Sequence, residues 1–239
     1  MKTVVKIGGS LLYKKNNELD TAKLLKLYKV FTKNLGKNLV FVLGCGSNLH
    51  KITNDFNLNS KGPLNIRIQG FERITKLTED RFKLIRDKIN VNVISALALF
   101  IKETKGNKRS HEISWYNEKA IKKMPIITMG GCTLDKNILF CTISSDTIAA
   151  YIAAYGTSKL IVATDTNGIL DKSSNTIKSF KADDYEKFSY IKGGMRDKIR
   201  RLRYAVNKNV ATYIVNGNNL LKGDFDTQFD EEHCTTLIK

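Results

Sequence analysis

Residues 3–10 read Thr3-Val4-Val5-Lys6-Ile7-Gly8-Gly9-Ser10, and residues 38–46 read Asn38-Leu39-Val40-Phe41-Val42-Leu43-Gly44-Cys45-Gly46. Each is a short apolar, β-prone run that stops on glycine, as a buried strand does when it delivers a tight loop. Between them Leu24, Leu27, Tyr28 and Phe31 recur at the spacing of an amphipathic helix over residues 19–35. Strand, glycine loop, helix, strand, glycine loop is the rhythm of a parallel α/β sheet.

Working outward, the same alternation continues. Residues 70–89 carry Phe71, Ile74, Leu77, Phe82 and Ile85 at helical spacing, whereas residues 91–100 fit either a strand with a short helix or one continuation. Residues 124–129 form a strand into Gly130-Gly131, and residues 132–142 suit a hairpin turning at Asp135-Lys136-Asn137. Ser144-Ser145-Asp146-Thr147 caps an apolar helix that runs to Tyr155 and ends at Gly156. Beyond it the pattern predicts strands over 160–164, 211–215 and 235–238, helices over 181–188 and 196–207, and loops at 165–168 and 192–194. No Pro/Ser-rich linker interrupts the chain, so residues 1–239 are expected to form one domain, with a lobe boundary near residue 157.

Composition narrows the function. With 42% hydrophobic residues in 239, the chain can bury a full core, which excludes a disordered tail protein. The absence of a signal-like or membrane-length apolar run points to a soluble, cytoplasmic protein. Cys45, Cys132, Cys141 and Cys234 lack C-x-x-C spacing, and His50, His111 and His233 do not complete a zinc pattern, so reduced thiols and no structural metal are expected. The formal charge of +17 favours phosphate-bearing partners. Its lysines, among them Lys29, Lys33, Lys37, Lys102, Lys105, Lys108, Lys122 and Lys123, are nevertheless spread along the chain, which favours a solvated lysine-biased surface over a nucleic-acid footprint and leaves a non-catalytic nucleotide- or nucleic-acid-binding protein as the outside alternative.

Five glycine clusters follow apolar runs: Gly8-Gly9, Gly44-Cys45-Gly46, Gly130-Gly131, Asn167-Gly168 and Gly193-Gly194. Ligands of open parallel sheets bind beyond the carboxyl ends of strands, where glycine lets backbone N–H groups approach anionic oxygens. Several such loops imply a polyphosphate site. Neither G-x-x-x-x-G-K-[ST] nor G-x-G-x-x-G is present, which disfavours a P-loop NTPase or a dinucleotide oxidoreductase. Lys6, Lys14, Lys15 and Lys198 lie beside the loops, and phosphoryl transfer needs such cations to neutralise charge on the transferred group. Lys6 stands out because a charge at the end of a buried strand needs a partner.

Taken in order, Lys6-Ile7-Gly8-Gly9-Ser10, Gly44-Cys45-Gly46, Ser145-Asp146, Thr164-Asp165-Thr166-Asn167-Gly168 and Gly193-Gly194-Met195 with Lys198 resemble the amino acid kinase superfamily over nearly the whole chain. The resemblance implies a three-layer α-β-α sandwich with a mainly parallel central sheet, the acceptor in an N-terminal lobe (1–157) and ATP in a C-terminal lobe (158–239). By position, Lys6 and Lys198 look like the lysines that stabilise the transferred phosphoryl group, and Asp146 looks like the acid that orients them. Lys15 lies near a further phosphate-binding lysine of some members, with Lys14 competing. Gly8, Gly9 and Ser10 would hold ATP phosphates, and Thr164, Asp165, Gly168, Gly194 and Met195 would lie near the nucleotide. Gly44, Cys45, Gly46, Gly130, Gly131 and Ser145 would line the acceptor side. Magnesium with ATP and a homodimer are also implied.

Within the superfamily His50 is similar to the histidine of isopentenyl phosphate kinases and fosfomycin kinases, which contacts the acceptor's phosphate or phosphonate. The chain departs from the family at Leu43, Cys45, Asn48 and Leu49, where H-G-G-G and a later aromatic-Gly are usual, and at Gly131 and Asn167, where acids are usual. Ser144-Ser145-Asp146 looks closer to fosfomycin kinases. Gly193-Gly194-Met195, Val215-Asn216-Gly217-Asn218 and the final Cys234-Thr235-Thr236-Leu237-Ile238 look closer to isopentenyl phosphate kinases. On the latter resemblance, the apolar residues 93–100 and the helix before them are candidates to wall a short isoprenoid tail, with plain core as the alternative.

Overall fold

The computed structural model describes residues 3–58, 63–90, 92–93, 100–103, 111–115, 125–134, 140–155, 159–222 and 234–239. The first half runs β1 (Thr3–Ile7), α1 (Gly9–Leu12), α2 (Thr21–Leu35), β2 (Leu39–Leu43), α3 (Gly46–Asp55), α4 (Leu64–Ile89), β3 (Asn92–Val93), β4 (Phe100–Glu103), β5 (His111–Trp115), β6 (Ile126–Met129), β7 (Gly131–Leu134) and β8 (Phe140–Ile143). The second half adds α5 (Ser145–Ala154), β9 (Lys159–Thr164), β10 (Ser179–Lys181), α6 (Gly193–Asn207), β11 (Ala211–Asn216), α7 (Gly217–Leu220) and β12 (Cys234–Ile238).

Eight strands form the central sheet in the order β10-β12-β11-β9-β1-β2-β6-β3. Every neighbouring pair is parallel except β11 with β12. Strand alternation sorts the core into two layers. Val4, Val40, Val42, Leu160, Val162 and Ile214 face the α5 and α6 side, packing with Ile148, Ile199 and Leu202. Val5, Ile7, Phe41, Leu43, Ile161 and Val215 face the other side, against Leu24, Leu27 and Phe31 of α2 and Ile74 and Ile85 of α4. This is the expected α-β-α sandwich. Lys6 shares the parity of Val4, so its side chain emerges on the α5/α6 side.

The hairpin expected over 132–142 is present as antiparallel β7 and β8, and its turn at 135–137 lies outside the described residues, as do Gly156 and residues 94–99 of the apolar run. Three local expectations change. The helix predicted over 181–188 is a strand end followed by a 3₁₀ turn, Ala182–Glu186, in which Ala182 and Tyr185 are buried three residues apart, the repeat of a 3₁₀ helix. Gly193 and Gly194 belong to the first turn of α6 rather than to a loop before it. Helix α4 begins six residues earlier than its apolar spacing indicates, directly after Pro63, whose fixed φ suits a helix start.

Candidate active site

Lys6 lies in register with Val42 of β2 and Val162 of β9, one residue before the end of β1. It is only 4% exposed, and its Nζ lies 2.8 Å from Oδ1 of Asp146. Asp146 is placed by α5: the Ser144 Oγ caps the helix by accepting the Asp146 N–H at 3.2 Å, which fixes the carboxylate in the positive first turn. From α6, Lys198 Nζ approaches the same Asp146 oxygen at 3.7 Å. Three elements distant in sequence thus converge on one carboxylate.

Burial by itself would raise the Asp146 pKa. The Lys6 and Lys198 charges, the Lys6 hydrogen bond and the Arg201 charge outweigh it and hold the carboxyl well below the usual carboxylate range. Burial pushes the Lys198 ammonium down to about 8, Asp146 pulling it back up and Lys6 repelling it further. Asp146 is therefore a poor proton acceptor and a good spacer between two cations.

Arg201, one turn beyond Lys198 on α6, was not singled out by the sequence. Its Nη1 donates to Ser144 Oγ at 3.0 Å, tying the α5 cap to α6. Lys6, Lys198 and Arg201 surround a single carboxylate, so the centre carries surplus positive charge suited to phosphate. Lys198 followed three residues later by another cation, on one helix face, is the signal that could have found Arg201.

The glycine loops meet at this end of the sheet. Gly44 and Gly9 touch backbone to backbone, and a Cβ at Gly44 would lie 2.4 Å from the Gly9 nitrogen. The N–H groups of Gly8, Gly44 and Gly130 extend the ladder by donating to Ala163, Ile7 and Leu43 carbonyls at 2.8, 2.8 and 3.3 Å. The residues after them lead helices, Gly9 and Ser10 in α1 and Gly46 and Ser47 in α3, where the first N–H groups have no intrahelical partner.

In the second glycine loop, the Cys45 thiol is buried and donates to the Gly130 carbonyl at 2.7 Å, so it tethers two loops. Burial raises its pKa to about 12, against the charges of Arg81 and Lys6, which keeps it a thiol. Gly131 opens β7, and Ser145 is buried at the start of α5. His50 is exposed on α3, and Lys14 and Lys15 are exposed after α1. Among the described residues none of their side chains has a hydrogen bond or ion pair that joins it to the Lys6–Asp146–Lys198 group.

Among the residues expected near a nucleotide, Thr164 is buried at the end of β9 and its Oγ1 donates to Asp165 Oδ1 at 3.1 Å. Gly168 packs against Thr235 of β12. Asn167 accepts from Asn216 Nδ2 at 2.7 Å, joining the loops after β9 and β11. Gly194 is exposed, while Met195 is half-buried against the α5/α6 core. Among the described residues no helix is long and apolar enough to cross a membrane, and no cluster of three or more His, Cys, Asp or Glu residues could hold a metal.

This arrangement, two lysines spaced by one acid beside stacked glycine loops, is chemistry for moving a phosphoryl group. Residues 1–216 match the model of the amino acid kinase family. The chain belongs to that family, and is a kinase for which the family implies ATP as phosphoryl donor. A structure of an isopentenyl phosphate kinase superposes with a TM-score of 0.74 at 20% identity, covering 98% of this chain and 99% of that one. The T. acidophilum isopentenyl phosphate kinase product complex gives 0.71 at 16%, covering 99% and 100%. In sequence, the acetylglutamate kinase of Hydrogenobaculum sp. (strain Y04AAS1) is 27% identical over 249 residues, covering 90% of this chain and 83% of that protein.

Proposed function

We propose that this kinase transfers the γ-phosphoryl group of ATP to a small acceptor that already carries a phosphate, with isopentenyl phosphate as the first candidate and the diphosphate as product. One observation carries the oxyanion requirement of this reading: the carboxylate at the centre is held by two ammonium groups and is far too weak a base to deprotonate an alcohol. The acceptor must arrive as an oxyanion. Its oxygen attacks the γ-phosphorus, the bond from that phosphorus to the β,γ-bridging oxygen breaks, and ADP leaves with that oxygen's charge. Lys6 and Lys198 meet the three equatorial oxygens as charge shifts, and Asp146 keeps them apart and oriented.

The donors at the centre do not suit a protein-held magnesium ion, since the one carboxylate there is engaged by lysines. Magnesium enters as part of the Mg·ATP substrate. Lys15 and His50 are exposed, and in this reading they serve as side chains that an incoming acceptor recruits. The likeness of fold to isopentenyl phosphate kinase structures makes an acceptor of that type the first to try, with residues 1–157 taken as the acceptor lobe and 158–239 as the ATP lobe in this reading.

A second reading, phosphorylation of an N-acetylated amino-acid carboxylate, is favoured by the acetylglutamate kinase relative and satisfies the same oxyanion requirement. Phosphonate acceptors such as fosfomycin are supported by Ser144-Ser145-Asp146. Acceptor-dependent ADP release with isopentenyl phosphate, dimethylallyl phosphate, fosfomycin and N-acetylglutamate, measured side by side, decides among them. Absence of turnover with both alkyl phosphates would refute the first reading.

A further inference from the structure

Arg81 is 6% exposed, yet it belongs to no ion pair with a carboxylate among the described residues. It reaches from α4 to the second glycine loop, where Nη1 donates to the Cys45 carbonyl and the guanidinium lies 4.5 Å from the centroid of the Tyr13 ring. One carbonyl and one aromatic face do not compensate the desolvation of a cation. Among the described residues no carboxylate offsets its charge.

The loop geometry shows where an anion would sit. Cys45 caps α3, with its carbonyl drawn toward Arg81 and its thiol toward Gly130. In a planar trans peptide the next N–H points opposite to the carbonyl. The Gly46 N–H accordingly turns away from α4 toward the first glycine loop, and the Gly46 nitrogen lies 2.9 Å from where a Cβ on Gly9 would be. Gly46 itself has φ +70, and a Cβ there would meet Tyr13 Cδ2 at 2.7 Å, so Arg81, Tyr13 and Gly46 are layered in that order.

We propose that Arg81 is a positioning residue for the anionic acceptor: it aims the Gly46 N–H into the cleft between the two glycine loops and supplies buried positive charge behind it. This rests on reading that loop as the acceptor side of the kinase, and it extends to any oxyanion acceptor, phosphate or carboxylate. It assigns acceptor recognition partly to a side chain that never touches the acceptor.

The test is calorimetric binding to the purified full-length wild type, Arg81→Met and Arg81→Lys, with isopentenyl phosphate, inorganic phosphate and N-acetylglutamate as acceptor probes. A non-hydrolysable ATP analogue and thermal melting are run in parallel. Arg81→Met is expected to weaken binding of whichever anion the wild type takes by roughly 30-fold or more, with the ATP analogue within about twofold of wild type. Arg81→Lys, which keeps charge but not the planar fork, should fall between. Should Arg81→Met fail to fold, the Arg81→Lys ratio of acceptor KM to ATP KM carries the test, and a rise in acceptor KM alone is expected. Equal weakening of both ligands, wild-type binding by Arg81→Met, or a wild type that binds none of the three anions overturns the proposal. Selection of N-acetylglutamate over isopentenyl phosphate would refute the acceptor assignment above while leaving the Arg81 comparison to be read with that ligand.

Discussion

Lys6 Nζ and Lys198 Nζ share one oxygen, Asp146 Oδ1, at 2.8 and 3.7 Å. Without it the two ammonium groups would repel each other across a site that water barely reaches. Asp146→Asn is therefore expected to cost about 3–5 kcal/mol of stability, the scale for breaking a buried charge pair. Turnover should fall on the order of 10²–10³-fold. The wild-type Asp146 pKa is lowered on folding, so its stabilisation is present above the unfolded value and is lost as pH falls through the folded one. Urea unfolding of both proteins from pH 7 into the acid range should show their stabilities converging as pH falls.

Burial pushes the Lys198 pKa down to about 8, below the usual lysine value, because it disfavours the charge. Free-enzyme kcat/KM should fall above about pH 8, while kcat, reporting the complex in which ATP phosphates favour the ammonium, should hold to higher pH. Stability moves the other way for this group: between its folded value and the usual lysine value of about 10.4 the unfolded chain binds more protons, so the Lys198 contribution rises with pH. Rate profiles alongside melting curves over pH 7–10, an interval of about three units, separate loss of charge from loss of fold.

Arg201 and Ser144 couple α6 to the α5 cap through a 3.0 Å hydrogen bond. Ser144→Ala should destabilise by about 1 kcal/mol through the lost cap. Arg201→Met should leave the cap in place and lower kcat more than it raises the KM for either substrate. Steady-state kinetics with both substrates varied checks the split.

Gly44 faces Gly9 so closely that a methyl group cannot enter without moving backbone. Gly44→Ala is expected to cost about 1–3 kcal/mol, as overpacking does, and to weaken ATP and acceptor binding together because both loops shift. Thermal melting with and without ATP measures it.

Much of this centre was legible in the chain itself. Lys6 declared itself as a charge in a buried strand, whereas Asp146 was singled out only through the resemblance to the kinase family. Lys198 was found through its spacing from Gly193-Gly194, although those glycines proved to be helix. Arg81 was missed because a chain with 40 Lys and Arg residues hides a buried one. Its signal was the face it occupies, in line with Ile74, Thr78 and Ile85 on the inward side of α4. The 3₁₀ turn at 182–186 was misread because its i, i+3 burial is also the start of an α-helical pattern. That Gly8, Gly44 and Gly130 extend the ladder could not be read from glycine alone, since it depends on which strands are neighbours.

The most direct test is the initial rate of acceptor-dependent ADP formation by wild type and Lys6→Ala, using the acceptor selected by the panel. Clear turnover by the wild type and a fall on the order of 10²–10³-fold in the variant, with a cooperative melt retained, are expected. A folded Lys6→Ala protein that turns over at the wild-type rate would contradict it.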